Sequence, residues 1–221
     1  MDLFEQHERF EIEILDALKS IRLLDSLIFG GGTMLRLCHE LNRYSADLDL
    51  WKAVNISDEQ ILEKMENYFK KSYEITDAQL KHYTILMEIR SSRYPKRLKI
   101  EIRRELKEWE FEDKIAFSPY SNRQVLLKGH TLRQTLKNKI DALINRGEIR
   151  DAFDMEFILR QGEPFPPLPE NKIKKALQQI DGFKRRDFKV TLGSVIEKGL
   201  RDYYIKNGFN FLQKKLSNER R

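Results

Sequence analysis

The sequence predicts an α/β (α+β) fold: a mixed-sheet α/β domain over residues 1–125, followed by an all-helical domain over residues 126–221. Three observations predict it. A short apolar run, Leu27-Ile28-Phe29, ends in Gly30-Gly31-Gly32-Thr33 and is followed by apolar residues at helical spacing, which reads as strand, turn, helix. Alternating runs of period two recur at Asp47–Trp51, Tyr83–Arg90 and Arg97–Arg103. From about Thr131 onward only helical spacing is found.

The elements follow in order. Phe10, Ile14, Leu18 and Ile21 form a stripe that predicts an amphipathic helix within Phe4–Leu24. Met34, Leu35, Leu37, Cys38 and Leu41 give the helix after the glycine turn, and Asn42-Arg43-Tyr44-Ser45 breaks it. Ser57-Asp-Glu-Gln60 is a capping-box pattern that opens a helix over Ile61–Lys71. The runs Tyr83–Arg90 and Arg97–Arg103, with Tyr94-Pro95 between them, read as an antiparallel hairpin. After a short apolar piece at Val125–Leu127, helices are expected over Leu132–Ile144, Arg150–Arg160, Glu170–Ile180, Asp187–Lys206 and Phe209–Leu216. The stretch Glu163-Pro-Phe-Pro-Pro-Leu-Pro169 reads as an extended connector between two of them.

Composition narrows the class. The chain has 221 residues, 40% hydrophobic and 34% charged, and its 13 Phe and 8 Tyr argue against disorder. No apolar run approaches the ~20 residues of a membrane span, and acidic residues stand where a signal peptide would be basic, so a soluble, cytoplasmic protein is expected. Cys38 is the one cysteine, which excludes an internal disulfide and any multi-cysteine zinc site. The net charge of +6 is uneven. Residues 1–125 hold 20 Lys and Arg against 23 Asp and Glu, net −3, whereas residues 126–221 hold 21 against 12, net +9. That basic half points to a polyanionic partner or to solvated helix faces, and Lys184-Arg185-Arg186 and Arg220-Arg221 are open to the same two readings.

The chemistry sits near the glycines. Asp47 and Asp49 are two apart in a strand, so both side chains leave one face. Paired carboxylates repel unless a cation lies between them, and a hard divalent ion such as Mg²⁺ suits oxygen ligands. An acidic pair alone is also common on exposed edge strands. The glycine turn opening a helix just upstream strengthens the functional reading, because such an N-terminus offers N–H groups to an anion. Glu101, in Leu98-Lys-Ile-Glu-Ile102, adds a third carboxylate on a strand face shared with Lys99 and Arg103. A P-loop is absent, and Gly30-Gly31-Gly32 lacks the dinucleotide-fold frame. Further on, Lys139, Arg146 and Arg150 fall on one side if the helix is continuous, or on two helices meeting at Gly147, and Arg150–Asp154 is spaced for an i,i+4 ion pair. Tyr44 and Trp51 flank the aspartates and read either as base-stacking or as packing residues.

Four ordered blocks over residues 25–160 carry a resemblance. They are Phe29-Gly-Gly-Gly-Thr-Met-Leu-Arg-Leu, Arg43-Tyr-Ser-Ala-Asp-Leu-Asp49, Leu98-Lys-Ile-Glu-Ile102, and Lys139-Ile-Asp-Ala-Leu-Ile-Asn-Arg146 with Arg150-Asp-Ala-Phe-Asp154. Together they resemble the AbiEii/AbiGii-type minimal nucleotidyltransferases, toxins of toxin–antitoxin and phage-defence systems within the DNA polymerase β-like superfamily. The resemblance implies that Gly31, Gly32 and Thr33 hold a nucleotide triphosphate and that Asp47 and Asp49 bind metal. It implies that Arg43 and Ser45 belong to the nucleotide site, with Lys139, Arg146 and Asp151. Glu101 falls where relatives place a third carboxylate, often Asp, as metal ligand and base; Glu reaches one methylene further.

The implied activity is Mg²⁺-dependent (or Mn²⁺-dependent) transfer of an NMP from an NTP to an acceptor hydroxyl. The basic half favours an RNA acceptor, and relatives use tRNA 3′ ends. An antitoxin protein is an expected partner, and a membrane is not. Protein NMPylation and a non-catalytic nucleotide- or nucleic-acid-binding module on the same fold are the alternatives.

Overall fold

The computed structural model describes residues 2–219, so Arg220-Arg221 lies outside the described residues. Two compact units are present: Met1–Glu40 with Tyr44–His130, and Leu41–Arg43 with Thr131–Arg221.

The first unit is built on a seven-stranded mixed sheet. Its elements are α1 (Leu3–Ser20), β1 (Leu27–Gly30), α2 (Gly31–His39), β2 (Asp47–Lys52), α3 (Asp58–Phe69), β3 (Glu74–Leu80), β4 (Thr84–Arg90), β5 (Leu98–Arg103), β6 (Phe111–Phe117) and β7 (Gln124–His130). The strand order is β3-β4-β5-β2-β1-β7-β6. β2 pairs antiparallel with β1 and parallel with β5, and β4 pairs antiparallel with β5 as the hairpin pattern predicts. Helices start where local chemistry provides a cap. Asp2 and Glu5 form a capping box at α1, and Ser57 Oγ accepts from the Gln60 N–H at α3. On β2, Leu48 and Leu50 are fully buried while Asp47, Asp49 and Trp51 take the other, partly open face. Burying each such leucine is worth about 1.5–3 kcal/mol. That burial sets the strand's register, and the register in turn forces both aspartates outward together.

Two strands escape the sequence pattern, β3 and β6, and both are sheet edges. β3 is polar and only partly buried, and its pairing with β4 carries an irregularity between Ile75 and Asp77. In β6 only Ala116 is buried, while Phe111, Ile115 and Phe117 are exposed. An edge strand is held by one ladder and buries little, so hydropathy alternation need not mark it.

The second unit holds α4 (Leu132–Arg146), α5 (Ile149–Arg160), α6 (Glu170–Asp181), a π-helical segment at Asp187–Leu192, α7 (Lys198–Asn207) and α8 (Asn210–Asn218). Thr131 caps α4 by accepting from the Gln134 N–H, and Gly147 ends it in the left-handed conformation at φ 64°. α4 and α5 are therefore two helices meeting at a corner. The single helix expected over Asp187–Lys206 is broken after Leu192, where Gly193-Ser194 are poor helix formers. The boundary between units falls after His130 because β7 continues five residues past Val125 in its ladder with β6. Among the described residues, no helix is long and apolar enough to cross a membrane.

Candidate active site

β1 delivers the glycines to the start of β2: Gly30 lies opposite Asp49 in the ladder. Gly31 is the first residue of α2 and has φ +72°, a conformation that glycine adopts without strain. A Cβ there would fall 3.0 Å from Asp49 Cβ and well inside contact with its carboxylate. Gly31 is therefore required by two independent constraints. A Cβ on Gly30 would lie 2.5 Å from the Trp51 ring, so its bareness makes room for that indole. Gly30 also has no side chain with which to cap α2, which leaves the first-turn N–H groups for other acceptors. These donors and the positive end of the helix lie against Asp49, in a setting that favours anions.

The strand carrying the carboxylates is gripped from behind. Thr33 is fully buried, and its hydroxyl donates to the Asp47 carbonyl at 2.6 Å. His7 Nε2 lies 2.9 Å from the Ala46 carbonyl, which can only accept, so the imidazole donates through Nε2. Consecutive carbonyls are thus held by α2 and α1. The Thr33 side chain joins α2 to β2, and what it leaves for a phosphate is its place in the first turn of α2 beside the buried Gly32. His7 was not legible as a site residue, since nothing in its local pattern signals a contact 39 positions away.

Glu101 lies opposite Asp49, and Lys99 opposite Asp47, in the parallel β2–β5 ladder. The Lys99 ammonium is 3.1 Å from Asp47 Oδ2 and 3.7 Å from Glu101 Oε1. Partial burial works against its charge, but Asp47, then Glu101 and Asp49, outweigh that and hold its pKa above the ordinary value. Lys99 thus supplies the positive charge between the carboxylates. The period-two pattern puts Lys99 on the Glu101 face; its position between strands needed the register.

The donor set fits a hard divalent cation of a particular kind. Asp47 and Asp49 offer carboxylate oxygens on one face, and both are partly accessible. Among the described residues, no three His, Cys, Asp or Glu side chains gather as a ligand cluster. Glu101, like Asp47, lies beside the Lys99 ammonium. Mg²⁺ is commonly held by one or two carboxylates plus substrate phosphates, and the Asp47–Asp49 pair meets that requirement.

The remaining residues singled out in the sequence make other contacts. Ser45 is half-buried in the loop before β2. Tyr44 stacks on Phe4 at 4.3 Å and lies under Arg36, and Trp51 packs on His130 at 4.6 Å, so both are packing residues. Arg43, Lys139, Arg146 and Asp151 come together with Asp154 in the second unit. Arg43 donates twice to Asp154, at 2.6 and 2.7 Å. Lys139 lies 2.7 Å from Asp154 and 3.0 Å from Asp151, and Arg146 donates twice to Asp151, at 2.7 and 2.8 Å. Both aspartates are fully buried. Burial opposes the Asp154 charge, but Arg43 and Lys139 overcome it and hold the carboxyl below its usual range. The expected Arg150–Asp154 pair is not formed: Arg150 bonds Glu148, while Asp154 faces inward to Arg43. Lys184-Arg185-Arg186 is exposed.

Residues 13–219 match the family model described as nucleotidyl transferase AbiEii toxin, type IV TA system. The fold is similar to that of JHP933 from Helicobacter pylori, with TM-score 0.54 and 18% identity, over 96% of this chain and 94% of that one. It is also similar to MenT4, a nucleotidyltransferase toxin from Mycobacterium tuberculosis, with TM-score 0.54 and 16% identity, over 99% of this chain and 91% of that one. No curated protein sequence matches significantly.

Proposed function

The chain belongs to the AbiEii nucleotidyl transferase toxin family, and on that premise we propose that this nucleotidyltransferase moves an NMP from an NTP onto an RNA hydroxyl with release of pyrophosphate, a tRNA 3′ end being the expected acceptor. The observation that carries the reading is the contact of Gly31 with Asp49, which sets a helix N-terminus against a carboxylate pair. Phosphate oxygens are received by the first-turn N–H groups of α2, at Gly31, Gly32 and Thr33. Asp47 and Asp49 would hold Mg²⁺, or Mn²⁺ in its place. The bound ion would neutralise phosphate charge and ease deprotonation of the attacking hydroxyl. Glu101, facing Asp49 across the ladder, is the residue assigned to accept that proton. Little covalent chemistry is asked of the protein in such a transfer, and positioning and charge carry it. Arg43, Lys139, Arg146 and Asp151 form, with Asp154, a cluster of three cations and two carboxylates. The family resemblance assigns Arg43, Lys139, Arg146 and Asp151 to nucleotide binding, and Arg146 is the half-exposed cation among them. The type IV toxin–antitoxin context supplies an antitoxin as the expected partner, and action among cytoplasmic RNAs is the expected setting.

The test is incubation with Mg²⁺, each labelled NTP in turn, and total RNA. Label on RNA that disappears in Asp49→Ala supports the reading. Label on polypeptide instead favours NMPylation, and undiminished transfer by Asp49→Ala overturns the site.

A further inference from the structure

The sheet face that carries Asp47 and Asp49 continues beyond them, and its next feature is aromatic. Trp51 follows Asp49 on the same face of β2, about 6.6 Å on at the usual strand rise. Its indole packs between His130 and Trp109, with ring centroids at 4.6 and 6.4 Å. Past it opens a cleft of about 500 Å³ whose lining includes Ile28, Ala53, Leu106, Trp109 and Phe111, with the exposed Lys107. Ile28 lies opposite Trp51 in the β1–β2 ladder, and the Ala53 N–H continues that ladder to the Ser26 carbonyl. The cleft and the carboxylates therefore share one surface of one unit.

We propose that this cleft is an acceptor subsite that seats an unpaired nucleobase upstream of the hydroxyl presented to Asp47 and Asp49. Its size suits a single base. Two of its lining side chains, Trp109 and Phe111, are aromatic, and aromatic rings stack on any base without regard to sequence. Each of these rings also has an ammonium nearby. Lys107 Nζ lies 5.7 Å from the Trp109 ring and Lys128 Nζ 5.8 Å from the Phe111 ring. Lys107 also meets Glu105 at 2.8 Å, an exposed pair that a phosphate can displace at small cost. Phe111 keeps 44% of its surface exposed on an edge strand, so its side chain is open to a ligand. A duplex end cannot enter, because its bases are stacked and paired; a single-stranded 3′ terminus can.

This subsite rests on the RNA-acceptor reading above, and a binding arm separates the two. A 5′-fluorescein tetranucleotide RNA with a free 3′ hydroxyl is titrated against the full chain by anisotropy, beside the same sequence closed in a hairpin stem. Trp109→Ala is expected to weaken the unpaired strand by about fivefold to a hundredfold, in line with loss of one stacked base. Trp109→Phe should restore most of it, and the KM for NTP should not move. Phe111→Ala, at an exposed edge position, gives a second variant should Trp109→Ala fail to fold. Equal binding by wild type, Trp109→Ala and Phe111→Ala overturns the subsite, as does equal affinity for the closed stem. Aromatic-dependent binding of the unpaired strand by a protein that labels no RNA supports the subsite while overturning the reaction.

Discussion

The Lys99 ammonium lies 3.1 Å from Asp47 Oδ2, directly across the parallel ladder that also sets Glu101 against Asp49. A carboxylate of the candidate metal pair is thus already engaged by a cation of the protein itself. Two carboxylates on one strand face repel at close range, and Lys99 relieves that repulsion in the folded chain. A metal ion binding at Asp47 competes with this ammonium. Lys99→Met is therefore expected to tighten Mn²⁺ binding several-fold, as measured by electron paramagnetic resonance titration of free Mn²⁺. Weaker binding in the variant would mean that Lys99 supports the cation site instead of competing with it.

Gly31 tolerates no side chain. Gly31→Ala places a methyl group against the Asp49 carboxylate at a positive φ, which costs on the order of 1–3 kcal/mol in backbone strain alone. Thermal unfolding should show a lower midpoint, and transfer activity should fall well below the wild type at temperatures where the variant is folded. An alanine variant with wild-type activity would remove the turn from the phosphate site.

Glu11 is fully buried on α1, and neither carboxylate oxygen has a hydrogen-bond partner among the described residues. Burial, then the neighbouring Glu8 and Asp47 charges, raise its pKa well above 4.5. The sign follows from linkage: a raised folded-state pKa contributes stability below the unfolded value and loses it as pH rises toward the folded value. Glu11→Gln should raise the urea midpoint at pH 7–8, where the wild-type penalty is largest, and change little at pH 4. A midpoint lowered at both pH values would show that the carboxylate is stabilising.

The Arg43–Asp154 pair has the opposite sign. Asp154 is held below its ordinary pKa of 3.8, so its contribution is complete above that value and is lost as pH falls through the depressed one. Arg43→Met leaves a buried carboxylate with Lys139 alone and is expected to cost about 3–5 kcal/mol, read from urea unfolding at pH 7. The paired variant Arg43→Met with Asp154→Leu should recover much of that loss and flatten the acid limb of the stability profile.

Much of the candidate site is legible in the sequence because its motifs are local. The glycine run, the two aspartates and Glu101 are each short-range patterns, and period two alone assigns Asp47, Asp49 and Trp51 to one strand face. The edge strands were not legible. Phe111–Phe117 displays three large apolar side chains to solvent and buries only an alanine, so it lacks the alternation that marks a half-buried strand. For Asp154 the sequence offers only a local partner, Arg150 at i,i+4 spacing. Its actual partner Arg43 is 111 positions away.

What the sequence determined by itself is the inventory and the faces: which residues could meet phosphate or metal, on which side of which strand, and where sheet gives way to helices. Periodicity and glycine chemistry are properties of a few consecutive residues, so they survive without a fold. Tertiary structure alone decided which charges meet. The β2–β5 register put Lys99 between Asp47 and Glu101, and packing of the helical unit turned Asp151 and Asp154 inward to Lys139, Arg43 and Arg146. Ion pairing depends on distances across elements far apart in the chain, and burial then fixes its sign and strength.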